Sequence, residues 1–221
     1  MCGRLEIGVT SQMRELLGSL NLPLFPTLHN IAPTETVPVI IKQNDIFELH
    51  QMRWWLTPAW APEPTTKFSM FNAKAETIQE SNAFRDPFKK HRFVIPVSAY
   101  YEWQTKGKVK TPFRISSDSP MMLAGIWDVW HRDEGTIHSC AIITTEAVPE
   151  LSWLHTRQPI FIPEIQLQEW CASKTPLPNL GQFLLPHLPF TLAVTPVDSA
   201  VGNSRYKGEV AATGDPIIIE H

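Results

Sequence analysis

The chain has 221 residues, 43% of them hydrophobic, with 20 Pro, 8 Trp and a formal net charge of -3 at pH 7. That size and apolar content suffice for a full core, expected as one domain over residues 1–221, and so many prolines imply ended strands and rigid turns rather than long helices. No run of roughly 18 apolar residues is present to span a membrane, no basic flank and apolar stretch marks a secretory signal, and three scattered cysteines, Cys2, Cys140 and Cys171, lack disulfide-framework or metal-ligand spacing. The expectation is a cytoplasmic protein with no membrane partner, no metal and no cofactor.

In chain order, residues 10–20 read as a capped amphipathic helix with Met13, Leu16, Leu17 and Leu20 on one side. Residues 37–41 and 47–54 read as strands joined through Gln43-Asn44-Asp45. Residues 68–73 read as a strand running into a helix that begins near Glu76. Residues 92–104 are strongly β, followed by strands at 111–116 and 121–130, which face each other across a turn, and at 139–145. Helices are expected at 149–154 and 163–171, then a strand at 190–196 and a turn-rich tail ending in Ile217-Ile218-Ile219. Dominant strands with irregularly placed helices argue α+β, a single domain with a β-rich antiparallel core and short peripheral helices.

The chain begins Met1-Cys2-Gly3-Arg4. Cys is small enough for the preceding Met to be removed, which leaves Cys2 with a free α-amine beside its thiol. The amine of such a 1,2-aminothiol condenses with an aldehyde, and the thiol closes a five-membered thiazolidine in an intramolecular step. An α-amine has a pKa of about 7.7–8.0, so a usable fraction is neutral near pH 7.

Four further polar positions stand out. Asn72 follows the run Phe68-Ser69-Met70-Phe71 at a strand end and also suits a helix cap. Glu102 lies between Tyr101 and Trp103, where a partly desolvated carboxylate suits proton transfer, or an edge-strand carboxylate faces solvent. His155 follows Trp153-Leu154 and is either catalytic or a satisfied loop histidine. Arg4 sits two residues from the nucleophile and also reads as a surface ion pair.

Charge is uneven. Residues 67–114 hold ten Lys or Arg, including Lys67, Lys74, Arg92 and Arg114, and four acids, against nine and eighteen elsewhere. Such asymmetry is what an anion-binding face needs, although Lys106, Lys108 and Lys110 also read as a solvated hairpin tip.

Met1-Cys2-Gly3-Arg4, Asn30-Ile31-Ala32-Pro33, Arg53-Trp54-Trp55-Leu56-Thr57-Pro58-Ala59-Trp60, Asn72-Ala73-Lys74-Ala75-Glu76, Tyr101-Glu102-Trp103, His155-Thr156-Arg157-Gln158-Pro159 and Ala200-Val201-Gly202-Asn203 occur in this order. Together they resemble the SRAP family (SOS-response-associated peptidase), also called abasic-site processing proteins, over nearly the whole chain. The resemblance implies a single α+β domain with a basic groove that caps abasic sites in single-stranded DNA as covalent crosslinks, and a family-assigned autoproteolytic activity that exposes the N-terminal Cys. It implies Cys2 as nucleophile, His155 for sugar ring opening, Glu102 for proton movement at the Schiff base and Asn72 as holder of the amine or sugar. Arg4, Lys74 and Arg157 would hold phosphates; Trp54, Trp55 or Trp60 would stack on bases; Pro33 would pack beside the unstacked gap. The implied partner is single-stranded DNA containing abasic sites, engaged by a monomer that becomes nucleoid-associated, with replication-fork proteins as candidate partners. Lys74, Trp55 and Thr156 depart from the usual Arg, Gly and Asp. The competing classes are a cysteine-type (auto)peptidase acting without DNA, through Cys2 and His155, and a non-catalytic reader of single-stranded or damaged DNA.

Overall fold

Short local signals start the chain's elements. After β1 (Arg4–Ile7), Thr10 accepts a hydrogen bond from the Met13 amide (3.1 Å) and opens α1 (Ser11–Ser19), which buries Met13, Leu16 and Leu17. β2 (Leu28–Ile31) leads to β3 (Thr36–Gln43) and β4 (Ile46–Trp54). Asn44 and Asp45, both at positive φ (48° and 64°), make the two-residue turn between β3 and β4. This computed structural model describes residues 2–64, 68–133 and 135–221, so Met1 and Lys67 lie outside the described residues.

β5 (Asn72–Lys74) runs into a 3₁₀ turn at Ala75–Thr77, and α2 (Arg85–Lys90) precedes β6 (Arg92–Lys106). β7 (Val109–Arg132) and β8 (Gly135–Glu146) follow, then β9 (Arg157–Pro159), α3 (Leu167–Cys171), α4 (Leu177–Phe183), β10 (Leu192–Pro196) and β11 (Ile217–Ile219). β6, β7, β8, β4 and β3 pair in succession, and β3 pairs back to β6, closing a ring. Its pairs are antiparallel except β4 with β8. The far half of β6 takes β1 and then β2, and the near half of β7 takes β10 and then β11. The α+β class with short peripheral helices therefore holds, with parallel pairing where β4 and β5 meet β8.

Gly125 on β7 is required where β7 passes Phe93 of β6 and the backbone of β8. A Cβ there would stand 2.7 Å from the Ala141 carbonyl oxygen and would enter the Phe93 ring.

Several expectations change. The strands at 111–116 and 121–130 are parts of one 24-residue β7. Both parts pair with β6, and residues 117–120 bulge out where Val97 pairs with Met121 and Ala99 with Ser116. Local turn propensity is overridden because each part finds its partner on the same long strand. The strand at 68–73 shrinks to three residues, and the helix near Glu76 is a 3₁₀ turn. The helix at 149–154 is a 3₁₀ turn at Pro149–Leu151, and that at 163–171 is a 3₁₀ turn followed by α3.

The basic segment does not form one face. Arg92 is buried, donating to the carbonyls of Phe88 (2.7 Å), Trp170 (2.8 Å) and Ala172. It serves carbonyls at the ends of α2 and α3, and burial lowers its pKa to about 10. Arg114 is bonded to Glu6.

Candidate active site

The ladder between β1 and β6 positions Cys2, the candidate nucleophile. Arg4 pairs with Tyr101 and Leu5 with Tyr100, so the residues before Arg4 run alongside Glu102 and Trp103. Cys2 is 1% exposed. Burial, and then the negative charge of Glu102, push its thiol well above the usual cysteine range, so the thiol rests protonated. Tyr100 shares the face of Glu102 by the period of two. Its hydroxyl is pushed up by burial first, and then by the neighbourhood of Cys2 and Glu102.

Asn72 comes from β5. Its Nδ2 donates to the Cys2 carbonyl oxygen (2.9 Å), and its Oδ1 is buried without a hydrogen-bond partner among the described residues. Glu102 is 5% exposed, and its Oε1 accepts from the Trp103 amide (3.1 Å). Gln104, on the same face as Glu102, donates to the Trp153 carbonyl (3.0 Å), and Trp153 packs edge-on against Phe113, the β7 partner of Glu102. This ties the loop that carries His155 to β6 and β7. Nδ1 of His155 accepts from the Arg157 amide (3.0 Å), which leaves the proton of the neutral ring on Nε2. β5 and β6 thus meet at the start of β1, and the loop that carries His155 is tied to the neighbouring stretch of β6 and β7.

The chain matches the family described as SOS response associated peptidase (SRAP) over residues 1–204. The chain belongs to the SRAP family. Abasic site processing protein YoqW of Bacillus subtilis is 32% identical over 196 residues, 84% of this chain and 86% of that protein. Abasic site processing protein YoaM of the same species is 31% identical over 216 residues, 93% and 94% of the two chains. A solved structure from Bordetella bronchiseptica, 22% identical, aligns with TM-score 0.75 over 89% of this chain and 100% of that one, a likeness of fold.

The remaining SRAP motif residues divide. Arg4 is half-buried; it donates to the carbonyls of Gly3 (2.9 Å) and Gly202 (3.4 Å), and its Nε is buried without a partner among the described residues. Burial lowers its pKa, against the pull of Glu35. Pro33 is half-buried in a turn flanked by Thr34 at φ 82°. Lys74 is exposed. Arg157 donates to both oxygens of Glu76 (3.1 and 2.9 Å) and to Thr144 Oγ1 and O (3.3 and 2.6 Å), leaving a single N–H on Nη1 for another acceptor.

Trp54 corrects the stacking expectation. It is completely buried, its indole N–H donates to the Phe71 carbonyl (2.9 Å), and its ring meets Phe71 edge-on, so it offers no face to a base. Trp55 is half-buried with its ring tilted against Phe71, and Trp60 is 62% exposed.

Sequence reasoning passed over Asn30 and Tyr100. Asn30 is buried at φ 48° and donates to the carbonyls of Asn203 and Tyr206, each at 2.9 Å, joining two motifs that lie far apart in the chain. A polar residue in each motif was the available signal. For Tyr100 the signal was its two-residue spacing from Glu102. Among the described residues, no three His, Cys, Asp or Glu side chains come together as metal ligands, and no helix is long and apolar enough to cross a membrane.

Proposed function

We propose that this protein captures abasic sites in single-stranded DNA as a covalent crosslink to Cys2, once Met1 has been removed. The observation that carries the reading is the hydrogen bond from Asn72 to the Cys2 carbonyl, with the β1–β6 ladder running the start of the chain alongside Glu102. The naming of its relatives as abasic site processing proteins supports the substrate.

The chemistry follows from the groups present. The neutral His155 ring hydrogen-bonds the ring oxygen of the abasic sugar through Nε2–H; the anomeric hydroxyl gives up its proton to water as the ring oxygen gains one, so the ring opens to the aldehyde with no net proton consumed. The Cys2 amine adds to the aldehyde carbon, and loss of water, helped by proton transfer through Glu102, gives the Schiff base. The Cys2 sulfur then adds to that carbon while the thiol proton passes to nitrogen. One C–N and one C–S bond form, one C=O bond is lost as water, and no oxidant or reductant is needed. The unpartnered Oδ1 of Asn72 is an acceptor for the amine or a sugar hydroxyl.

A thiol held protonated by burial suits this order, amine first and sulfur second. It suits a peptidase that needs a thiolate less well, because reactive thiolates lie in sites that lower the pKa. Arg4, Lys74 and the remaining N–H of Arg157 are the proposed phosphate contacts, and Pro33 the packing beside the gap. Binding to such contacts weakens as salt rises.

The test is denaturing electrophoresis after incubation with an oligonucleotide carrying one abasic site. The processed protein yields a heat-stable DNA-shifted band, and Cys2→Ala yields none while retaining reversible binding. An undiminished stable adduct from Cys2→Ala would sink the thiazolidine mechanism.

A further inference from the structure

Arg157 lies across β8 like a strap. On β8, Thr144 pairs with Lys74 of β5 on one edge and with Pro159 of β9 on the other. From β9, Arg157 crosses Thr144, donating to its carbonyl (2.6 Å) and hydroxyl (3.3 Å), and ends bidentate on Glu76, two residues beyond Lys74. Its side chain is 14% exposed, that of Glu76 39%. The same residue's backbone N–H donates to His155 Nδ1 (3.0 Å). At the other end of the strap, β5 begins with Asn72, which holds Cys2. A planar fork on a carboxylate fixes distance and angle together, which one hydrogen bond does not.

The geometry points to Glu76 as a positioning residue that, through Arg157, sets the His155 tautomer and the placement of His155 relative to Asn72. Glu76 touches neither the nucleophile nor the sugar. Its carboxylate orients the Arg157 guanidinium; the strapped Arg157 keeps its backbone amide on Nδ1; and that amide keeps the His155 proton on Nε2. Three strands are pinned at one point, so the two edges of β8 cannot shift independently. The kinetic part of this inference rests on the proposed crosslinking activity; the tautomer part does not.

Two readouts on the full chain decide it: ring ¹⁵N shifts of His155, and crosslinking rate at saturating protein alongside affinity for the same oligonucleotide. Glu76→Gln keeps the size and removes the charge; Glu76→Asp keeps the charge and shortens the reach. In the starting protein the neutral His155 ring carries its proton on Nε2. Both variants are expected to show a tautomer mixture and a crosslinking rate about tenfold lower, since small misplacements of reacting groups are costly, with little loss of affinity. A Glu76→Gln protein with the original tautomer and rate overturns the inference. The original tautomer with tighter DNA binding also overturns it and makes Glu76 a mere competitor of phosphate for Arg157. If the starting protein forms no crosslink at all, the proposed function falls, and the ring shifts alone still decide the strap.

Discussion

Glu6 and Arg114 form a shielded ion pair, with Glu6 Oε1 2.6 Å from Nη2 and Oε2 3.2 Å from Nε of Arg114. Ser98 (3.0 Å) and Tyr101 (2.7 Å) donate to the same carboxylate, and His29 Nδ1 stands 4.0 Å away. Burial alone would raise the Glu6 pKa, but Arg114, Tyr101 and Ser98 together hold it below the ordinary 4.5. The pair joins β1 to β6 and β7, so it fixes the strand that delivers Cys2.

Acid stability should report this pair. A carboxyl whose folded pKa is depressed contributes stability that is fully present above its unfolded pKa and lost as pH falls through the folded value. Thermal midpoints should therefore drop from about pH 4.5 downwards. Glu6→Gln should be less stable at pH 7 by about 3 kcal/mol, because Arg114 is left without its counter-charge, and should lose less on acidification. Glu76, which Arg157 also holds down against burial, would account for part of the remaining acid loss. Identical acid profiles for the two proteins would show that Glu6 contributes nothing to the linkage.

Glu102 and His155 should govern rate rather than affinity. Glu102→Gln and His155→Ala are expected to slow crosslinking of an abasic oligonucleotide by about a hundredfold, as loss of proton transfer typically does, with reversible binding nearly unchanged. Single-turnover crosslinking at saturating protein measures the first, and fluorescence anisotropy the second. Normal rates with weakened binding would make either residue a DNA contact.

Trp54 and Trp60 should separate cleanly. Trp54→Ala removes a completely buried ring and its hydrogen bond to Phe71, at an expected cost of about 3–5 kcal/mol of stability. Trp60→Ala should change stability by no more than about 0.5 kcal/mol yet weaken single-stranded DNA binding by about 1 kcal/mol or more, the worth of one stacked base. Urea unfolding and DNA titration on both variants decide it; unchanged binding by Trp60→Ala removes that residue from the DNA path.

The sequence by itself determined the class and suggested the chemistry proposed here. Strand-rich patterning with many prolines led to α+β, Thr10 and the run to Leu20 marked α1, and Gln43-Asn44-Asp45 marked a turn that the positive φ of Asn44 and Asp45 confirms. The aminothiol proposed at Cys2 needed no coordinates, because its two nucleophiles belong to one residue. Motif order was enough to reach the SRAP family. Only the tertiary structure decided which polar residues meet. β1, β2 and β9 have three or four residues each and too little periodicity to be read locally; they exist because longer strands supply partners. The same cause hid the continuity of β7, whose two parts are joined by pairing with β6 across a bulge. Charge was legible as a count and not as a surface: Arg92 and Arg114 are turned inward, and Arg157 is strapped to Glu76. Which face a side chain takes depends on neighbours far away in the chain, and composition carries no record of them.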